Sequence, residues 1–173
     1  MPMDSKALNA RITLTKVLVV DDDLYMRKVV RTMLMTIGVR NIEEASNGLI
    51  GIDVIRSMAP DVVILDWEMP GLDGVQFMRT VRSPETFPYP DVSVIMLSGH
   101  GERSRVVDAM KAGVNEFLLK PVSVKALRER LVAVLANPRP MIRSGDYYGP
   151  MPRKIVVPSN AEVDDMTTLF MVN

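Results

Sequence analysis

Cysteine is absent from the chain, and with it go disulfides, thiolate metal sites and cysteine nucleophiles. Histidine and tryptophan occur once each, as His100 and Trp67. Neither sign of charge is in excess: 21 Lys and Arg balance 21 Asp and Glu, so nothing overall favours nucleic acid or a membrane surface. No apolar run reaches the length of a membrane span, and residues 1–10 lack the apolar segment of a signal peptide. These absences lead to the expectation of a soluble, cytoplasmic protein. At 173 residues, the chain has room for one domain with a full core and a modest extension.

What the chain does have is a recurrent unit: a short apolar run that stops at a polar residue, followed by a segment of helical period. The plainest case is Val62, Val63, Ile64 and Leu65, a strand buried on both faces, which ends at Asp66 before Trp67, Glu68 and the loop Met69-Pro70-Gly71. In an open α/β sheet ligands bind at the C-terminal ends of strands, so Asp66 is placed for chemistry, although an acid there also serves to cap a turn. The same unit opens at 17–20, ends in Asp21, Asp22 and Asp23, and continues as a helix striped by Met26, Val30, Met33 and Ile37 and closed by Gly38. A strand over 41–45, a turn at Ser46-Asn47-Gly48 and a helix ending before Pro60 follow. Beyond Asp66 the pattern predicts a helix over 73–82, a proline-rich loop over 83–91, and a strand over 92–97 that stops at Ser98-Gly99-His100-Gly101. A helix over 102–112, a strand over 116–119 stopped by Lys120-Pro121, and a helix striped by Val124, Leu127, Leu131 and Val134 complete it. Five such alternations specify an α/β fold with a parallel sheet covered by helices on both faces.

The ends are read as extensions. Residues 1–15 are weakly patterned, with a short helix conceivable over Ser5–Leu14. Residues 137–173 carry five of the twelve prolines, which predicts irregular structure, except that the capping-box spacing of Ser159 and Glu162 announces a short helix near 160–171.

A parallel sheet brings Asp21, Asp22, Asp66, Ser98 and Lys120 to one edge. Three carboxylates at close quarters repel one another unless a cation intervenes, and an all-oxygen ligand set selects Mg2+. A lysine and a hydroxyl opposite them suit the remaining oxygens of a phosphoryl group, and an aspartate is a competent covalent acceptor of phosphate. Asp23 reads more simply as the cap of the first helix after the strand, His100 as a solvated or modulating loop residue, and the methionine stripe as core.

The segments Val19-Val20-Asp21-Asp22, Ile64 to Gly74, Met96-Leu97-Ser98-Gly99 and Leu119-Lys120-Pro121 together resemble the receiver (CheY-like) domain of two-component response regulators, over about residues 16–136. The resemblance implies a (βα)5 doubly wound, five-stranded parallel sheet of order 2-1-3-4-5 with irregular N- and C-terminal extensions. It implies that Asp66 accepts a phosphoryl group from a histidine kinase or phosphotransfer protein. Asp22, Asp66 and the backbone carbonyl of Glu68 would hold Mg2+, with Asp21 helping through water. Ser98 and Lys120 would bind the phosphoryl group and Phe117 would act as the switch aromatic, while Glu68 and His100 would set the phosphoryl lifetime. The Lys120-Pro121 bond would be cis. Serine at 98 and phenylalanine at 117 stand where the family more often has threonine and tyrosine.

Two other readings remain open on sequence. A haloacid-dehalogenase-like phosphatase would use Asp21 and Asp23 as its Asp-x-Asp pair and need a further acidic pair such as Asp164-Asp165; a receiver-like binding module would never be phosphorylated. The resemblance favours a switch that is not an enzyme in its own right. Residues 137–173 are too few for a DNA-binding or catalytic domain, so the expected output is a protein contact, on the face formed by about 102–136. The apolar residues of the tail, Tyr147, Tyr148, Leu169 and Phe170 among them, are expected to dock either on the domain or on a second molecule, which leaves self-association open; direct nucleic-acid contact and membrane insertion are not expected.

Overall fold

A computed structural model of the protein describes residues 2–153, so the helix expected near 160–171 lies outside the described residues. The elements run α1 (Ser5–Leu14), β1 (Lys16–Val20), α2 (Leu24–Ile37), β2 (Asn41–Ala45), α3 (Gly48–Met58), β3 (Val62–Asp66), α4 (Gly74–Val81), β4 (Ser93–Ser98), α5 (Arg103–Lys111), β5 (Glu116–Leu119), α6 (Val124–Ala136), β6 (Met141–Ser144) and β7 (Tyr147–Pro150). Strands β1 to β5 form one parallel sheet in the order β2-β1-β3-β4-β5, as the resemblance implies.

The unbroken apolar strands explain how two cores arise from one sheet, because side chains alternate between its faces. Leu18, Val20, Val63, Leu65, Val94 and Met96 point to the face covered by α3, α4 and α5, where they meet Ile55, Phe77, Met78 and Ala109. Val17, Val19, Val62, Ile64, Ile95 and Leu97 point to the other face, against Val30 and Leu34 of α2 and Leu127 and Leu131 of α6. Each fully buried aliphatic side chain of this kind contributes about 1.5–3 kcal/mol. Helix starts are set by short polar residues: Asp23 caps α2 at Tyr25 N (2.8 Å), Asn47 caps α3, Asp73 and Gln76 form a capping box on α4, and Ser123 caps α6. Gly38, at φ 120°, closes α2 by donating to the carbonyls of Leu34 and Met35.

The extensions are more regular than their composition suggested. Asp4 caps α1 through Ala7 N (2.7 Å), and Ile12 of this helix is buried in the α2–α6 core. After α6, residues expected to be irregular instead form the antiparallel hairpin β6–β7. Its prolines lie where strands tolerate them. Pro138 and Pro140 precede β6 and Pro150 ends β7, while Gly145-Asp146, with Gly145 at φ 57°, makes the two-residue turn. Tyr147 is buried, and with Ile142 it packs on Val106 and Met110 of α5 and Phe117 of β5.

Candidate functional site

Three strand ends and the loop after β1 supply the site. β1 ends at Val20, and the next residue, Asp21, is fixed from both sides: its N–H donates to Ala45 O (3.1 Å) and its Oδ1 accepts from Asp23 N (2.9 Å). β3 delivers Asp66 as its last residue. One carboxylate oxygen from each of Asp21, Asp22 and Asp66 falls within 4.8 Å of the others, Asp21 and Asp66 buried and Asp22 exposed. The strand end of β5 is held to that of β4 by Lys120 N donating to Ser98 O (2.8 Å), and the Lys120-Pro121 bond is cis. From there Lys120 Nζ donates to Asp66 Oδ1 at 3.0 Å and lies 4.0 Å from Asp21 Oδ2.

The electrostatics follow from burial. Exclusion from water pushes the Asp66 carboxyl up to about 6, the bond to Lys120 opposes this, and the charges of Asp21 and Glu68 reinforce it. Asp21 is also raised, mainly by burial, against the bond from the Asp23 backbone. Burial works to lower Lys120, but its hydrogen bond to Asp66 and the surrounding carboxylates outweigh it and hold its pKa above the ordinary value. The partners thus respond in different senses, the acid's charge disfavoured and the lysine's favoured. The reason is that Asp66's side chain is 5% exposed against 24% for Lys120, and one cation serves two buried acids.

Asp21 Oδ2 is buried without a hydrogen-bond donor among the described residues. When both acids are ionised, only a cation satisfies it, and when one is protonated the proton can be shared with Asp66; a buried carboxylate oxygen left with neither is costly. That orphaned atom, with three oxygen ligands converging, fits a hard divalent cation such as Mg2+.

Other expected residues occupy a second layer. Ser98 is buried at the end of β4, and its hydroxyl donates to Glu68 Oε1, while His100 N donates back to Ser98 Oγ (3.0 Å). Glu68 also receives Gly99 N at Oε2 (3.4 Å). Sequence reasoning placed Glu68 and Ser98 at the site separately and did not foresee that they hold each other. The His100 ring turns outward, half exposed, with Nδ1 3.6 Å from Glu102 Oε1. Phe117, half-buried, lies on the same sheet face as Met96 and Ser98, in register with Met96. Trp67, beside Asp66, is buried, its backbone N–H donating to Leu97 O (3.0 Å). A missed requirement is Gly74: a Cβ there would fall 2.1 Å from Trp67 Cε3. Asp23 stays out of the cluster, since its carboxylate is used in capping α2. The Asp-x-Asp reading thereby loses its second acid, and Asp164-Asp165 lies outside the described residues.

Residues 17–132 match the family model of the response regulator receiver domain. The chain is 33% identical over 116 residues to the chemotaxis protein CheY-3 of Vibrio cholerae, covering 67% of this chain and 88% of that protein. It is 35% identical over 123 residues to the chemotaxis protein CheY1 of Helicobacter pylori, covering 70% and 98%. Among solved structures it resembles a chain of the CheX–CheY–BeF3–Mg2+ complex of Borrelia burgdorferi, with TM-score 0.63, 25% identity, and coverage of 69% and 88%. A doubly wound sheet of order 2-1-3-4-5 with acids, a hydroxyl and a lysine at its strand ends, matched over most of its length by these proteins, makes the chain a member of the response regulator receiver family, a CheY-like phosphorylation-controlled signalling switch.

Proposed function

We propose that Asp66 is the phosphoacceptor and that a histidine kinase or phosphotransfer protein is the donor. The observation that carries this reading is the placement of Asp66: a buried carboxylate at a strand end, bonded at 3.0 Å to Lys120 and sharing a 4.8 Å cluster with Asp21 and Asp22. A carboxylate oxygen of Asp66 attacks phosphorus, the P–N bond of a phosphohistidine breaks, and the imidazole leaves with the bonding pair and takes up a proton. Asp22, Asp66 and the backbone carbonyl of Glu68 would hold Mg2+, with Asp21 assisting through water, and the ion would supply charge neutralisation for the phosphoryl oxygens. Lys120 turns from the free carboxylate to the new phosphoryl oxygens. Ser98 leaves Glu68 to donate to the same group, so the phosphorylated state exchanges the Ser98–Glu68 bond for one to a phosphoryl oxygen. The presence of BeF3, Mg2+ and CheX in the related Borrelia complex supports a pocket that takes a cation with a phosphoryl-like group and a surface that takes a protein.

The protein would act by contact with a downstream target over about 102–136 rather than as an enzyme, and in the cytoplasm. No helix among the described residues is long and apolar enough to cross a membrane. Incubation with acetyl phosphate and Mg2+ followed by intact mass tests the reading: one phosphoryl increment is expected in the wild type and none in Asp66→Asn. Equal labelling of the two would refute it.

A further inference from the structure

The hairpin β6–β7 is fastened to the receiver at three places. Its apolar side, Ile142 and Tyr147, packs on Val106 and Met110 of α5 and on Phe117. Tyr148 donates to Asp91 and Arg143 pairs with Glu85, tying it to the loop before β4. The chain on either side of it is pinned to the start of β5, the edge strand: Arg139 donates to Asn115 O and to Met151 O (2.8 Å), and Arg153 pairs with the buried Glu116. The backbones meet without side chains between them, since a Cβ on Gly149 would fall 2.9 Å from Gly113 Cα and one on Gly113 would fall 2.9 Å from Tyr148 O.

This seat and the acid pocket lie on one short strand. Asn115, Glu116 and Phe117 carry the hairpin, and three residues further on Lys120 holds Asp66. Ser98 and Phe117 also lie on the same face of neighbouring strands. When Ser98 leaves Glu68 for a phosphoryl group, it vacates volume on that face, and Phe117 is the large, only half-buried side chain nearby. Filling that volume would draw Phe117 away from Tyr147 and Ile142, with which it packs in the unmodified protein.

We propose that the hairpin β6–β7 is a clamp on the α5–β5 face, seated on Phe117 while Asp66 is unmodified and loosened when a phosphoryl group occupies the acid pocket. It rests on the assignment of Asp66 as phosphoacceptor. While seated, the hairpin covers Val106, Met110 and Phe117, so a partner seeking this face must wait for its release. Because coupling is reciprocal, weakening the seat tightens the pocket's hold on the phosphoryl group by the same factor.

The test uses the full-length chain and BeF3− with Mg2+ as a stable phosphoryl mimic. Trp67 fluorescence reports occupancy of the pocket, and amide hydrogen exchange of residues 141–150 reports the seat. At saturation, exchange over 141–150 is expected to accelerate about fivefold or more, and Tyr147→Ala to bind BeF3− more tightly by a similar factor. Arg153→Gln, which removes one ion pair and leaves the apolar seat intact, is expected to shift both readouts in the same directions by less. Saturation reported by Trp67 with unchanged or slower exchange over 141–150 would overturn the clamp while leaving the phosphoacceptor standing. No binding of BeF3− in wild type and in Asp66→Asn alike would overturn both.

Discussion

Asp21 and Asp66 are kept out of water beside a single lysine, and the protein without cation carries the cost of that arrangement. The Asp66 carboxyl is raised to about 6 in the folded chain, above its unfolded value near 3.8. A raised acid binds its proton more readily when folded, so its contribution to stability is present below the unfolded pKa and is lost as pH rises from about 4 through about 6. In EDTA at neutral pH, Asp66→Asn should therefore be more stable than wild type by about 1–3 kcal/mol, with the difference vanishing below about pH 4. Urea unfolding at several pH values measures it, and a difference independent of pH would contradict it. Glu68 and Ser98 are likewise tied before any phosphoryl group arrives. Glu68→Ala and His100→Ala should each alter the dephosphorylation rate several-fold, corresponding to about 1 kcal/mol in the barrier, with Mg2+ affinity nearly unchanged; a time course of phosphate loss decides this. The acids, Ser98 and Lys120 were legible in the sequence because each ends an apolar run. Gly74 was not, because its role depends on the Trp67 ring folding back against it through the Pro-Gly loop. Gly74→Ala should displace that ring, change its emission and cost about 1–3 kcal/mol.

The five alternating units are encoded locally, by runs of β-branched residues, capping side chains and Gly38, so strands and helices were legible nearly to the residue. Two features were not. Arg82 reads as a charged residue near a helix end, yet it is buried and donates to Gly113 O (3.0 Å), Pro90 O (2.6 Å), Val92 O (2.7 Å) and Asn115 Oδ1 (2.9 Å). Burial lowers its pKa to about 10, and its neutral acceptors come from segments far apart in the chain, which no local pattern announces. Arg82→Met should take this donor from all four acceptors, with Asn115 Oδ1 keeping only Val94 N (2.8 Å), costing about 2–4 kcal/mol in denaturant unfolding without abolishing Mg2+-dependent labelling. The hairpin was obscured by its prolines. Its signal was Gly145-Asp146 between short apolar-polar runs, and its stability comes from the seat on α5 and β5 rather than from its own strands, since an isolated two-stranded hairpin is marginal.

At the scale of the whole molecule, the sheet puts two cores beneath one reactive edge, and the terminal segments close the structure away from that edge. α1 adds Ile12 to the α2–α6 core, and the hairpin covers part of the α5–β5 face. On the proposed function, this division would place phosphoryl chemistry and partner contact on different parts of the same small fold, linked by β5. Everything in it depends on one residue accepting phosphate. The direct measurement is intact mass after acetyl phosphate treatment, with and without Mg2+, for wild type and Asp66→Asn. One phosphoryl increment in the wild type with Mg2+, and none without the ion or without the carboxylate, is the predicted result; an increment that persists in Asp66→Asn, or that forms equally well in EDTA, would contradict it.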